Sequence, residues 1–230
     1  MKVIDISSKK AIDLAVEEIH KNVILVQLPT VFALFAAPTT RGAQQLDECK
    51  NRLQGKNYGT AIGNLDKFIS QAKKEDLPKQ FCTGAQYKKL KGTFIKLRFQ
   101  NENFHSKAIN HGTHQALLLS GLYSKLFKAI ETSFESYPPD ELWNRKNYCA
   151  PLCTSCNISG DPAGSIVEFE KALSFGNERG INLCIITKKP ATEKGSYPIF
   201  GFSKNKVFIH REGPGLSRFK EKIPAALRSW

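Results

Sequence analysis

Two apolar runs constrain the fold of this chain more than any other feature. Val23-Ile-Leu-Val-Gln-Leu28 and Ile181–Thr187 are too short for a buried helix and too continuous for a strand with one wet face. The first reads as a strand covered on both sides and ended by Pro29, as in the interior of an α/β sheet.

Helical and strand patterns alternate around these runs. Ser7-Ser8 offers an N-cap to a helix that aligns Ile12, Val16 and Ile19 on one face. Ala43–Leu53 has helical character, Tyr58–Ile62 reads as a short strand, and Leu65–Ala72 as a short helix. Lys79–Gly92 reads as loop with strand fragments. Thr93–Phe99 alternates apolar and polar residues with the period of a half-buried strand. His114–Ser136 is the longest helical pattern, stopped by Pro138-Pro139. A short strand is expected near Ala150–Cys153, a turn at Gly160–Gly164, a helix over Ile166–Phe175, a strand over Lys206–His210 and a last helix after Gly215. The alternation predicts one α/β domain over residues 1–230 built on a mixed sheet, with 214–230 as a helical tail.

The charge balance narrows the partners. There are 34 Lys and Arg against 21 Asp and Glu, a net charge of +13, while 41% of residues are hydrophobic. That apolar fraction excludes a disordered chain. The positive excess suits a polyanion, or a pocket for one small, highly charged molecule such as ATP. The first residues read as an amphipathic helix and not as a secretory signal, and Val23–Ala37 is too short and too interrupted to span a bilayer. A reduced, cytoplasmic protein without a membrane partner is expected.

Few residues suggest side-chain chemistry. Cys149, Cys153 and Cys156 have the spacing of a radical iron–sulfur triad, but too few residues follow them to build the usual barrel. They read as buried small residues, and no metal site is expected. His111-Gly-Thr-His114 lacks evident further ligands and reads as solvated or helix-capping histidines. No glycine-rich phosphate loop and no nucleophile elbow occur. Lys50-Asn-Arg52 reads either as a solvated helix end or as an anion contact. Thr154-Ser-Cys-Asn-Ile-Ser-Gly160 follows an apolar strand with small hydrogen-bonding residues, a plain turn or the lining of a polar pocket.

Together these segments resemble the YrdC-like family, the threonylcarbamoyl-AMP synthases. Its PT(D/E)TVYGL segment corresponds to Pro29-Thr30-Val31-Phe32-Ala33-Leu34, its KxR motif to Lys50-Asn51-Arg52, and its TSANxSG motif to Thr154–Gly160. More blurred matches are Leu97-Arg98-Phe99, Gly195-Ser196-Tyr197-Pro198-Ile199, and Val207 through Arg211 to Gly213. The likeness spans about residues 7–213. The first motif lacks two residues, and its tyrosine and glycine have become Phe32 and Ala33.

The resemblance implies a twisted open mixed sheet with flanking helices around a basic cavity. It also implies condensation of L-threonine, bicarbonate and ATP to threonylcarbamoyl-adenylate with release of pyrophosphate. A downstream transferase then uses the adenylate to modify tRNA. By position it assigns Lys50 and Arg52 to catalysis. Lys50, Arg52, Arg98, Ser155, Asn157, Ser196 and Arg211 fall to the nucleotide, Thr30 and Phe32 to the amino acid, and Mg2+ comes with the triphosphate. Two alternatives stay open. One is adenylation of a related carbamoyl or acyl group with a different acceptor. The other is a non-catalytic module for double-stranded RNA or tRNA, suggested by Lys88–Lys96 and Arg218–Lys222.

Overall fold

The strands are β1 (Lys2–Asp5), β2 (Ile24–Gln27), β3 (Phe32–Ala36), β4 (Gly59–Ala61), β5 (Thr93–Arg98), β6 (Thr113–Leu118), β7 (Leu152–Ser155), β8 (Leu183–Ile186), β9 (Ile199–Ser203) and β10 (Lys206–Arg211). The helices are α1 (Ala11–Ile19), α2 (Thr40–Lys50), α3 (Leu65–Ser70), α4 (Gly84–Tyr87), α5 (Leu122–Ser133), α6 (Phe169–Glu178) and α7 (Leu216–Lys220). This computed structural model describes all residues, 1–230.

All ten strands join one mixed sheet in the order β1-β8-β2-β3-β7-β4-β6-β5-β9-β10. The two apolar runs lie next to each other near its left half, β2 parallel to β8 with Leu25 opposite Cys184. Each sheet face buries its own core. One contains Leu25, Leu34, Leu46, Phe68, Ile95, Phe175 and Phe200, so α2, α3 and α6 cover that side. The other contains Ala15, Ile19, Val26, Phe35, Phe127 and Ile130, so α1 and α5 cover this one.

The second cover is partial, and that positions the site. Along β5, Ile95 and Leu97 are fully buried on the first face, whereas Phe94, Lys96 and Arg98 remain half-buried on the second. The period of two therefore sends the polar residues of β5 toward a part of the sheet that α1 and α5 leave bare.

Four expectations are corrected. His114–Ser136 is not one helix: its first residues form β6, a central strand paired with β5 and β4, and only Leu122–Ser133 is helical. An alternating apolar run next to a helix had merged into one pattern, although Gly121, at φ +67, separates them. Lys79–Gly92 carries helical turns and no strand. Helix α1 begins at Ala11 with Lys10 as N-cap, while Ser7 instead donates to Asp5. Helix α6 starts at Phe169, three residues later than the pattern suggested. Strands β1, β3 and β9 are additions the patterns did not isolate.

Candidate active site

Helix α2 ends at Lys50, and Asn51 takes the left-handed conformation at φ 46, ψ 58. Asparagine tolerates this region better than most residues. The turn separates its neighbours: Lys50 points under the chain and Arg52 points out beside it. Lys50 is only 1% exposed, and its ammonium group donates to the carbonyl oxygens of Ser155 (2.5 Å) and Asn157 (2.7 Å) and to Asn157 Oδ1 (2.9 Å). Three donors thus meet three acceptors. Burial, followed by the nearby Arg52 charge, pulls the Lys50 ammonium down to about 7.

The loop that Lys50 holds is the continuation of β7. Strand β7 pairs with β3 so that Ser155 faces Ala33, and Cys156 N then donates to Phe32 O at 2.8 Å. Ser155 Oγ donates to Asn157 Oδ1 at 2.8 Å, and Ser159 N donates to Lys50 O at 2.9 Å. Helix end and strand end are therefore latched in both directions. Ser155 and Asn157 are fixed at the carboxyl end of a central strand, the place where α/β sheets hold ligands.

Arg52 takes the outer position. Its Nη2 donates to Asn57 O at 2.7 Å, its Nη1 approaches Thr154 Oγ1 at 3.5 Å, and the guanidinium lies 4.4 Å from the Tyr58 ring centroid. Its buried Nε has no partner. On the far side, Arg211 donates through Nε and Nη2 to Tyr197 O at 3.0 and 2.7 Å. Ser196 Oγ lies 2.9 Å from Ser165 Oγ.

These residues line a cavity of about 260 Å³ on the bare part of the sheet. Its cations are Lys50, Arg52, Lys56 and Arg211, and no Asp or Glu is among the lining residues. Gly59 makes room at the floor, since a Cβ there would lie 2.8 Å from Phe94 Cε1 and 3.0 Å from Gln115 O. Leu28, Val31 and Leu117 give one wall an apolar surface. Arg52, Lys56 and Arg211, with no acidic residue in the lining and with hydroxyl and amide groups beside them, form a receptor for a polyphosphate or a similarly dense anion.

Six of the nine candidate residues, Lys50, Arg52, Ser155, Asn157, Ser196 and Arg211, line this one cavity. Three do not. Phe32 is 1% exposed and sits in the opposite core, 6.4 Å from Phe169 between ring centroids, because alternation along β3 turns Ala33 toward the cavity instead. Arg98 lies on the correct face but four residues beyond Phe94, roughly 13 Å along the strand. It pairs there with Asp76 at 2.8 Å and faces Glu102 at 3.7 Å, in a separate shallow basin. Thr30 lines a second cavity on the other side of Tyr197.

Lys56, Asn57, Gln115, Ser165 and Tyr197 were missed. Lys56 carries a weak signal, a cation shortly after the KxR motif. Gln115 carries none, since the sequence pattern around it is that of a helix and the structure makes it strand β6. Neither histidine of His111-Gly-Thr-His114 belongs to the site. His114 is buried between Thr60 Oγ1 and Ala108 O, both at 2.8 Å, and burial lowers it to about 4. The thiols of Cys153, which lines the cavity, and of Cys156 are pushed up by burial, which suits space-filling and not nucleophilic roles.

No protein-family profile matches the sequence, and no curated protein matches it. Solved structures do. P. abyssi Sua5 complexed with L-threonine is similar with a TM-score of 0.72 and 17% identity, covering 99% of this chain and 62% of that one. E. coli YciO has a TM-score of 0.61 and 13% identity, with 93% and 94% of the two chains covered. Full-length HypF in its phosphate- and nucleotide-bound form has a TM-score of 0.61 at 13% identity, covering 87% of this chain and 28% of that one. The fold is therefore that of the YrdC/Sua5-like group, and this chain spans less than two thirds of the length of Sua5.

Proposed function

We propose that this chain, with its YrdC/Sua5-like fold, is an L-threonylcarbamoyladenylate synthase that supplies an activated carbamoyl group for tRNA modification. The observation that carries the reading is the cavity itself: Lys50, Arg52, Lys56 and Arg211 line it with no acidic residue, beside the Thr154–Gly160 loop. The bound threonine of the Sua5 structure and the phosphate and nucleotide of the HypF structure support the ligand classes.

In this reading ATP brings the triphosphate to Arg52, Lys56 and Arg211, and magnesium enters with it as part of the substrate. The cavity offers no carboxylate, so it fits the metal as part of the substrate and not as a resident ion. Threonine and bicarbonate condense to a carbamate with loss of water. A carbamate oxygen attacks the α-phosphorus, the bond to the β-phosphate bridging oxygen breaks, and pyrophosphate leaves with the electron pair. Arg52 and Lys56 neutralise the departing charge, with Arg52 as a bidentate donor. Arg211, Ser196 and Ser155 orient the nucleotide. Lys50 contacts the site through the loop it holds. Catalysis is then positioning and charge stabilisation, and no nucleophilic side chain is needed.

A second reading, adenylation of a different carbamoyl or acyl acceptor, is favoured by one observation: Thr30 and Phe32, the residues assigned to threonine, lie outside the cation-lined cavity. Incubation with ATP, magnesium, L-threonine and labelled bicarbonate separates the two. A labelled adenylate supports the first reading. Pyrophosphate release only with another amino or carboxylic acid supports the second.

A further inference from the structure

Asp47 and Tyr58 do not line the first cavity, yet both hold Arg52, which does. Asp47 lies in the last turn of α2, and its carbonyl accepts from Arg52 N at 3.1 Å. Its carboxylate reaches the other way. Oδ1 accepts from the Tyr58 hydroxyl at 2.6 Å, and Oδ2 pairs with Lys107 Nζ at 2.7 Å. Tyr58 is 1% exposed, and its backbone N donates to Lys107 O at 2.6 Å, so the ring is fixed at both ends. Burial, followed by the bond to Asp47, pushes the Tyr58 phenol up, which keeps it an O–H donor.

The Arg52 guanidinium lies over the face of this ring, 4.4 Å from its centroid. A cation in that position is attracted by the ring quadrupole. The common alternative, a carboxylate, would take the in-plane N–H groups of the guanidinium and cancel its charge. Arg52 makes no ion pair, because Asp47 is engaged by Tyr58 and Lys107. The ring covers only the flat side and leaves the edge open. On that edge Nη2 donates to Asn57 O at 2.7 Å, and the Asn57 side chain is tied in turn to Ser106 O and Ile109 O. The buried Nε has no partner. Arg211, the other arginine of the cavity, lies 5.6 Å from the Phe94 ring and gives both Nε and Nη2 to Tyr197 O. Arg52 is thus the arginine whose Nε edge stays open to a ligand.

We propose that Tyr58 is a positioning residue for Arg52: its ring, braced by Asp47, sets the plane of the guanidinium and keeps its charge and its open N–H edge available to the anion in the cavity. The role rests on the adenylation reading for the identity of that anion, the triphosphate of ATP. A planar fork recognises phosphate oxygens only when its plane is fixed, so the ring acts on ATP through Arg52 alone.

The test reads the arginine directly and then through its ligand. In the full-length, 15N-labelled protein the Arg52 Nε–H resonance is identified by its loss in Arg52→Gln. It is expected upfield of those of the exposed Arg41 and Arg145, as for a proton held over a ring face. It stays there in Tyr58→Phe and moves downfield in Tyr58→Leu. In titration calorimetry with ATP and magnesium, Tyr58→Leu weakens affinity about three- to tenfold and Tyr58→Phe less than about threefold. Tyr58→Leu adds nothing to the loss already present in Arg52→Gln, whereas a merely structural tyrosine would give losses that add. The proposal is overturned by an Arg52 resonance beside those of Arg41 and Arg145 in the natural protein, by equal losses in Tyr58→Leu and Tyr58→Phe, or by additive losses in the double variant. The adenylation reading fails separately. A ring-shifted Arg52 in a protein that binds no ATP, or ATP affinities in the expected order without any labelled adenylate, contradict that reading and uphold the role of Tyr58.

Discussion

Lys50 and Asn157 form the latch on which the first cavity depends. One ammonium group donates both to the Asn157 carbonyl at 2.7 Å and to its Oδ1 at 2.9 Å, with the Ser155 carbonyl as third acceptor. The lysine of the KxR motif is thus a positioning residue for the loop that Ser155 and Asn157 belong to.

Removing the latch leaves buried acceptors empty. Lys50→Met therefore costs about 2–4 kcal/mol of stability, the range for buried polar groups stripped of a charged partner. Urea unfolding of the variant against the natural protein measures the difference. A cost under about 1 kcal/mol contradicts the latch.

The same lysine gives stability an unusual pH dependence. Its folded-state value, about 7, lies below the ordinary lysine value of 10.5. Between these limits the unfolded chain holds more protons than the folded one, so this group's contribution to stability rises with pH. Relative to Lys50→Met, the natural protein gains stability from pH 7 to pH 9. A difference between the two that stays flat over this window shows that Lys50 keeps its proton throughout.

Arg52 and Arg98 separate the cavity from its surroundings. Arg52→Gln removes a charge from the cavity wall, and ATP affinity falls roughly tenfold to a hundredfold. Arg98→Gln removes an ion pair with Asp76, costs at most about 1 kcal/mol of stability, and leaves ATP affinity unchanged. Titration calorimetry on both variants checks the contrast, and equal losses would return Arg98 to the nucleotide site.

Phe32 belongs to the core. Phe32→Ala destabilises by about 3–5 kcal/mol, the usual cost of emptying an aromatic site. Phe32→Leu keeps most of the volume and leaves ligand affinity intact, as the same calorimetry shows. A selective loss of amino-acid affinity in Phe32→Leu contradicts its placement against Phe169.

How much of this was legible in the sequence depends on the range over which each signal acts. The α/β class and the KxR and Thr154–Gly160 segments are local, and local patterns carried them: an apolar run ending in small polar residues is read from a few positions. Arg98 lies outside the cavity, and its distance from it depends on sheet order, which no local pattern carries. Strand β6, and not β5, leads through α5 to β7, and the β6 residues facing the cavity are Gln115 and Leu117. Phe32 faces away from the cavity for a different reason, since which of two neighbours faces it depends on the register of β3 against β7. Lys56 and Tyr197 reach the site through loops, where no periodicity speaks.

If one cation-lined cavity carries adenylate formation, three proteins assayed side by side must differ in product. The natural protein, Arg52→Gln and Arg98→Gln are each incubated with ATP, magnesium, L-threonine and labelled bicarbonate, and the labelled adenylate is quantified. Product is expected from the natural protein and from Arg98→Gln, with at least about a tenfold loss in Arg52→Gln. Equal product from all three, or no product and no ATP binding by the natural protein, would contradict it.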